Sequence, residues 1–260
     1  MERRNENTRA IVTGGAQGVG LAIARRLAEE GARSLVLVGR SEEKGRAAVA
    51  AIEALGAEAM FVSADVSDAA SPARVVEQAI ERFGAVNALV NAAATSARGS
   101  LLDTTPELFD TIFATNVRGP FLLMQGVAKH LIETGEAGSI VNVLSMSAHG
   151  GQGFLSPYST SKGALATLTR NAANALRKNR IRVNAVLPGW MDTPGEDIVQ
   201  KKWHGAQDDW LEKAEAAQPM GQLVKPDQLA VLVAYMVSPQ SGVMTGSLVD
   251  YDQNVVGVSE

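Results

Sequence analysis

The chain contains no cysteine, which excludes disulfides and thiolate metal sites. Its 3 histidines are scattered, and no metal centre is expected. No apolar run reaches the roughly 18 residues that a membrane-spanning helix needs. Basic residues are not in excess: 24 Lys and Arg stand against 28 Asp and Glu, a net charge of −4, so there is no electrostatic footprint for nucleic acid. The opening MERRNENTR is charged and lacks the apolar stretch of a secretory signal. A soluble, cytoplasmic protein is the expectation.

What is present is ordinary globular composition, 46% apolar and 20% charged, over 260 residues. With no internal repeat and no low-complexity linker, one domain over 1–260 is the economical organisation. RAIVT at 9–13 reads as a strand, GGAQGVG at 14–20 as a glycine turn, and LAIARRLAEE as a helix ending at Gly31. Gly14, Gly18 and Gly20 let backbone amides and a helix N-terminus approach a pyrophosphate. The spacing is TGxxxGxG rather than the commoner GxGxxG.

SLVLVGR at 34–40 is the second strand. At its end, where a dinucleotide fold places an acid for the ribose, stand Gly39, Arg40 and Ser41. Arg40 can pair with a 2′-phosphate, which favours NADP over NAD; it can equally be a solvated strand-end charge. A helix follows over 41–56, then a strand AMFVSADVS whose Asp65 either accepts from an adenine amino group or caps the next turn. After a helix at 71–83, NALVNAAA at 87–94 is a buried strand running into a turn of small residues. A helix over 105–117 holds Asn116 just before a Gly119-Pro120 interruption. Asparagine is unfavourable in mid-helix unless its side chain is used, either to bond nearby backbone or to shape a distortion that holds a water.

GSIVNVLS at 138–145 delivers Ser145 at a strand's C-terminal end. Ser156-Pro157 reads as an N-cap and first-turn proline, with a helix over 157–178. Tyr158 and Lys162 then lie one turn apart on one face. An isolated pair of this kind is ordinarily a half-buried ring beside a solvated charge. With a hydride carrier nearby it becomes a proton-transfer site, because the lysine brings the tyrosine, normally near pKa 10, towards working range. IRVNAVLPG at 181–189 is a sixth strand, and beyond it a backbone amide and Thr193 can grip a carboxamide. Residues 194–222 are polar with interleaved Trp203, His204 and Trp210, the least regular stretch; with Trp190 they form an expected mobile lid over about 190–222. A helix at 226–237 and a strand near 246–251 close the chain.

Over nearly its whole length the chain resembles the classical short-chain dehydrogenase/reductases. The resemblance rests on TGGAQGVG at 13–20, Asp65-Val66, TNVRG at 115–119, Ser145 with Tyr158 and Lys162, and PGWMDT at 188–193. It implies an α/β fold: a single-domain, Rossmann-like, doubly wound parallel sheet of about seven strands flanked by helices. It implies NAD(P)-dependent hydride transfer between nicotinamide and an alcohol or carbonyl. Tyr158 would be the acid/base, its pKa lowered by Lys162 and the nicotinamide charge, with Ser145 orienting the substrate oxygen. Asn116 would hold a relay water. Cofactor contacts would come from Gly14, Gln17, Gly18, Val19 and Gly20 at the turn, and from Arg40, Ser41, Asp65 and Val66 at the adenosine end. Asn91, Ala92, Ala93, Tyr158, Lys162, Pro188, Gly189, Met191 and Thr193 would complete them. One departure is clear: Asn91-Ala92-Ala93-Ala94 stands where the family has Asn-Asn-Ala-Gly, which implies some loss of sheet stability but not of activity. The family also implies a homo-oligomer, a tetramer built on the helices at 105–134 and 157–178.

For substrate, Ser145, His149, Gln152, Tyr158 and Trp190, with His204 and Trp210, suit a sugar or polyol better than a steroid or acyl chain. The alternatives are a non-catalytic dinucleotide-binding regulator, against which the complete Ser/Tyr/Lys set argues, and a reductase of a more apolar ketone. An extended-type epimerase or dehydratase is disfavoured by the glycine spacing.

Overall fold

A computed structural model describes residues 3–257. Its seven strands are β1 (Arg9–Thr13), β2 (Ser34–Gly39), β3 (Glu58–Ser63), β4 (Ala88–Asn91), β5 (Gly138–Val143), β6 (Ile181–Pro188) and β7 (Leu248–Tyr251). They form one parallel sheet in the order β3-β2-β1-β4-β5-β6-β7. The central strands are continuous runs of buried Val, Ile and Leu, as a sheet covered on both faces demands. The helices are α1 (Gly18–Glu29), α2 (Glu42–Glu53), α3 (Ser71–Phe83), α4 (Pro106–Phe113), α5 (Gly119–Thr134), α6 (Ser156–Leu176), α7 (Pro194–His204), α8 (Trp210–Ala216) and α9 (Pro226–Val237). On one face Ile23 and Leu27 of α1 pack with Leu229 and Val233 of α9 against Val12, Leu37 and Val90. On the other, Val75 and Val76 of α3, Leu123 and Val127 of α5 and Leu168 of α6 cover Ile11, Leu89 and Ile140. The strand order reverses between β1 and β4, and the crevice at their C-terminal ends is where such sheets bind ligands.

Buried polar links tie the sheet's centre. Asn91 Nδ2 donates to Asn142 Oδ1 (2.8 Å), and Asn142 Nδ2 donates to Thr169 Oγ1 on α6 (2.9 Å). Thr13 Oγ1 accepts from the amides of Ala92 and Ala93 (both 3.0 Å). Asn142 and Thr13 thus brace the turn that departs from the family pattern. The N-terminal segment is latched separately: the Glu30 carboxylate, 0% exposed, accepts from Arg4, Arg26 and Asn5.

Several expectations change. Residue 155, not Ser156, occupies the N-cap position of α6; Ser156 is already helical and its hydroxyl donates to the Gly153 carbonyl. β3 stops at Ser63, two residues before Asp65. Gly119-Pro120 does not break the helical run. Pro120 sits in the first turn of α5, where its missing N–H costs nothing, and the distortion falls just before it, in a π turn over Ala114–Arg118. The 194–222 stretch is more regular than its composition implies. Thr193 caps α7 by accepting from the Glu196 amide (3.0 Å), and Trp210 buries itself against Ala214 and Leu223. Among the described residues no helix is long and apolar enough to cross a membrane.

Candidate active site

Three stretches converge at the C-terminal edge of the sheet. The glycine turn leads from β1 into α1. Gly14 has φ +67° and Gly18 φ +52°, conformations that glycine adopts without strain. A Cβ on Gly20 would lie 2.4 Å from the Gly14 carbonyl oxygen, so the turn can close only on a glycine. Gln17 at the N-cap offers no side-chain bond to the α1 amides, and no acid occupies the first turn. Those uncapped amides, with open space beside Gly18, fit a pyrophosphate.

The adenosine end is basic. The Arg40 side chain is 82% exposed and stands 4.0 Å from Asp65, a loose pairing that leaves the guanidinium available. The Lys44 ammonium donates to Gln17 Oε1 (2.6 Å), which brings a second cation to the same corner. Lys44 escaped the sequence reading; its signal is a basic residue one turn along the helix that starts after Arg40. Ser41 Oγ caps α2 through the Lys44 amide (3.4 Å). Asp65 Oδ1 accepts from the amide and hydroxyl of Ser67, and these bonds, ahead of Arg40, hold its carboxyl below the usual carboxylate range. Asp65 therefore caps a turn. Val66 lies beneath Gly119, whose Cβ would meet the Val66 carbonyl oxygen at 2.6 Å.

Ser145 lies two residues beyond β5 in extended backbone, its Oγ accepting from the Ser147 amide (3.1 Å), and its hydroxyl is near enough to that of Tyr158 to favour the phenolate. Lys162 is 3% exposed; its Nζ donates to the Val143 carbonyl (2.8 Å) and lies 5.8 Å from the centre of the Tyr158 ring. Burial lowers the Lys162 pKa to about 8. In the free protein, before any cofactor charge acts on it, the Tyr158 pKa is raised. Burial pushes it above the ordinary 10, outweighing the Ser145 hydroxyl and the nearby Arg98 guanidinium, while the Glu196 carboxylate pushes it further up. A carbonyl takes the Lys162 ammonium here, so the lysine does not hold the phenolate down by itself.

Asn116, 1% exposed, sits in the π turn. Its Oδ1 accepts from the Thr95 amide (2.9 Å), and its Nδ2 donates to the Thr95 carbonyl (2.9 Å) and to Ser161 Oγ (3.0 Å). The side chain therefore staples the loop after β4 to α6 and is fully engaged with the protein.

Beyond β6, Gly189 donates to the Tyr251 carbonyl, and a Cβ there would meet Asp252 Oδ1 at 2.0 Å, so Pro188-Gly189 runs hard against the C-terminal segment. Met191 bridges to Val224. His149 is drawn to β7 by a 2.8 Å contact between Nε2 and Asp250 Oδ1, and Gln152 is exposed in the loop before α6. Trp190 Nε1 donates to Glu196 Oε1 (2.8 Å), and its ring stacks on Trp210 at 6.0 Å. Beside the two indoles lies a cavity of about 410 Å³ lined by Gln200, Gln207, Asp209 and Lys213 among others. No group of three or more His, Asp or Glu side chains able to share a metal ion occurs among the described residues.

Comparison with known proteins agrees with this geometry. A family model described as Enoyl-(Acyl carrier protein) reductase matches residues 14–253. Short-chain reductase protein NovJ of Streptomyces niveus is 35% identical over 94% of this chain and 92% of its own. L-rhamnose 1-dehydrogenase (NAD(P)(+)) of Azotobacter vinelandii is 36% identical, covering 91% and 92%. Among solved structures, a short chain dehydrogenase from Burkholderia cenocepacia in complex with NADP superposes with TM-score 0.85 at 34% identity over 96% of this chain and 98% of that one. NAD+-bound xylitol dehydrogenase gives 0.86 at 28% over the same shares. The chain belongs to the short-chain dehydrogenase/reductase family and is a nicotinamide-dependent oxidoreductase of alcohols and carbonyls.

Proposed function

We propose that this enzyme interconverts a hydroxyl and a carbonyl on a sugar or polyol, with NADP as its preferred cofactor, through Ser145, Tyr158 and Lys162. The carrying observation is the buried Lys162, held by the Val143 carbonyl with its Nζ 5.8 Å from the Tyr158 ring, at the strand edge where Ser145 also lies. The nicotinamide cofactor supplies the hydride acceptor or donor. Tyr158 gives or takes the substrate's hydroxyl proton, and Ser145 orients the reacting oxygen. The positive nicotinamide ring, together with Lys162, supplies the charge that brings Tyr158 down from its raised value. The glycine turn with the uncapped α1 amides holds the pyrophosphate, and Asn91, Ala92 and Ala93 line the cofactor's path. Pro188, Gly189, Met191 and Thr193 hold the carboxamide; the Thr193 hydroxyl, though a cap acceptor, keeps its proton to donate. Asn116 keeps the π turn open for a relay water near Lys162. Residues 190–222 cover the bound substrate.

Arg40 and Lys44 support the NADP preference, since two cations stand at this corner and the end of β2 carries Gly39 rather than the acid that would bind a 2′-hydroxyl. The polar groups around Trp190, together with the name of the rhamnose dehydrogenase relative, support a polyhydroxylated substrate. Phe109 and Phe121, exposed on α4 and α5, support association of copies through that face. The test is a panel of sugars, polyols and apolar ketones run with NADP(H) and NAD(H) on wild type and Tyr158→Phe. Turnover of a sugar or polyol that needs Tyr158 and prefers NADP(H) is expected. Turnover of apolar ketones alone, or equal use of NAD(H), overturns the corresponding part.

A further inference from the structure

Two opposite charges stand unpaired near Tyr158. Arg98, in the loop between β4 and α4, spends Nη1 on the Ser96 carbonyl (2.8 Å) and touches His204 Nε2 at the end of α7 with Nη2 (3.4 Å). Its guanidinium lies over the Phe154 ring at 5.7 Å, and its Nε is buried with no hydrogen-bond partner. A buried donor left unpaired is costly, so its retention asks for an acceptor that the protein itself does not supply. The loop is held in place: Gly99 exchanges backbone hydrogen bonds with Phe154 and Ser156, immediately before Tyr158.

Glu196, in the first turn of α7, accepts at Oε1 from both Trp190 Nε1 (2.8 Å) and Gln200 Nε2 (2.7 Å). That leaves Oε2 to accept elsewhere, and neither Glu196 nor Arg98 makes an ion pair among the described residues. Both charges reach the Tyr158 hydroxyl electrostatically, with opposite sign.

We propose that Arg98 and Glu196 are the specificity-determining pair of this site, gripping separate hydroxyls of an extended, neutral polyhydroxylated substrate, the arginine as donor at the His204 end of α7 and the carboxylate as acceptor in its first turn. The inference rests on the sugar or polyol reading above and deepens it. The pair's net charge is zero, which disfavours both simple alternatives. A carboxylate substrate would meet Glu196, and an amine would meet Arg98. Hydroxyls along one chain satisfy both, because each hydroxyl donates and accepts. The His204 ring holds one Arg98 donor until a substrate oxygen replaces it, so occupancy of the site is coupled to the position of α7.

The experiment takes the best neutral polyol or sugar from the panel, its aldonate and its amino analogue, with saturating NADPH or NADP+. Steady-state kinetics are compared for wild type, Arg98→Gln, Arg98→Lys and Glu196→Gln. For the neutral substrate, Arg98→Gln and Glu196→Gln should each raise KM about ten- to a hundredfold, the loss of one charge-assisted hydrogen bond, with kcat changed far less. Arg98→Lys should recover part of the loss. Glu196→Gln should shift the preference towards the aldonate. NADPH affinity, read by nicotinamide fluorescence, should stay at the wild-type value in every variant. Unchanged KM in both Gln variants overturns the proposal, as does a KM rise matched by an equal loss of NADPH affinity. A wild type that turns over only apolar ketones sinks the substrate reading itself, before any variant is made.

Discussion

Replacing Lys162 by methionine should stabilise the protein while disabling it. The lysine is 3% exposed and burial lowers its pKa from 10.5 to about 8. A drop of that size means that the fold disfavours the charged form by about 3 kcal/mol. The Nζ–Val143 carbonyl hydrogen bond returns roughly 1–1.5 kcal/mol of this when compared with an apolar chain of similar length. Lys162→Met in the cofactor-free protein should therefore gain about 2 kcal/mol near neutral pH, or roughly 4–8 °C in Tm for a chain of this size. The pH dependence has a definite sign. The folded pKa lies below the unfolded one, so the unfolded chain binds more protons between the two values. The penalty is present in full below about pH 8 and is relieved as pH rises towards about 10.5. The variant's advantage should shrink across that window. Urea denaturation of both proteins at about pH 7 and about pH 10 reads the difference directly. A variant no more stable than wild type at the lower pH, or one whose advantage grows with pH, would refute the reasoning. Activity should fall in parallel, so that a functional group is held at a cost in stability.

Glu30→Gln should cost about 3–5 kcal/mol, because it leaves the Arg4 and Arg26 guanidinia beside a buried neutral group; denaturant midpoints measure it. Asn142→Val should cost about 1–3 kcal/mol by stranding Asn91 Nδ2 in the core, while Thr169 Oγ1 keeps its bond to the Leu165 carbonyl, with NADPH affinity as the check that the cofactor edge survives. Gly39→Asp should weaken NADPH binding and strengthen NADH binding, since a carboxylate at the end of β2 repels a 2′-phosphate and accepts from a 2′-hydroxyl. Its Cβ meets Phe61 at 3.4 Å, so the fold should tolerate it, and titration with NADPH and NADH decides the outcome.

Local chemistry made much of this structure readable. Continuous Val/Ile/Leu runs give the strands, and Thr13 to Gly20 gives the turn, because only glycine closes it against the Gly14 carbonyl. Ser145, Tyr158 and Lys162 were legible because one helical turn fixes the last two and a strand end fixes the first. What escaped depends on distant partners. The Asn91–Asn142–Thr169 chain crosses from β4 through β5 to α6, and no local pattern announces it. The 194–222 stretch looked irregular because its order comes from Trp210 packing on Ala214 and Leu223, and from Thr193 capping α7.

The tyrosine marks the deeper limit. Sequence spacing placed Lys162 one turn from Tyr158, and the expected lowering of the tyrosine pKa drew on that spacing and on the cofactor's positive charge. Burial acts on both groups and in the same sense, against charge: it raises the tyrosine and lowers the lysine. In the free protein the ammonium is turned to the Val143 carbonyl, and the Glu196 carboxylate opposes the phenolate. Proximity therefore prepares the pair without activating it. Positive charge of the kind an oxidised nicotinamide carries would lower the tyrosine and so tie proton transfer to cofactor occupancy. A tyrosine at its ordinary value of about 10 is protonated at neutral pH in any case, so what burial adds is a wider gap for positive charge to close before Tyr158 can take a proton, and spacing alone does not reveal that gap.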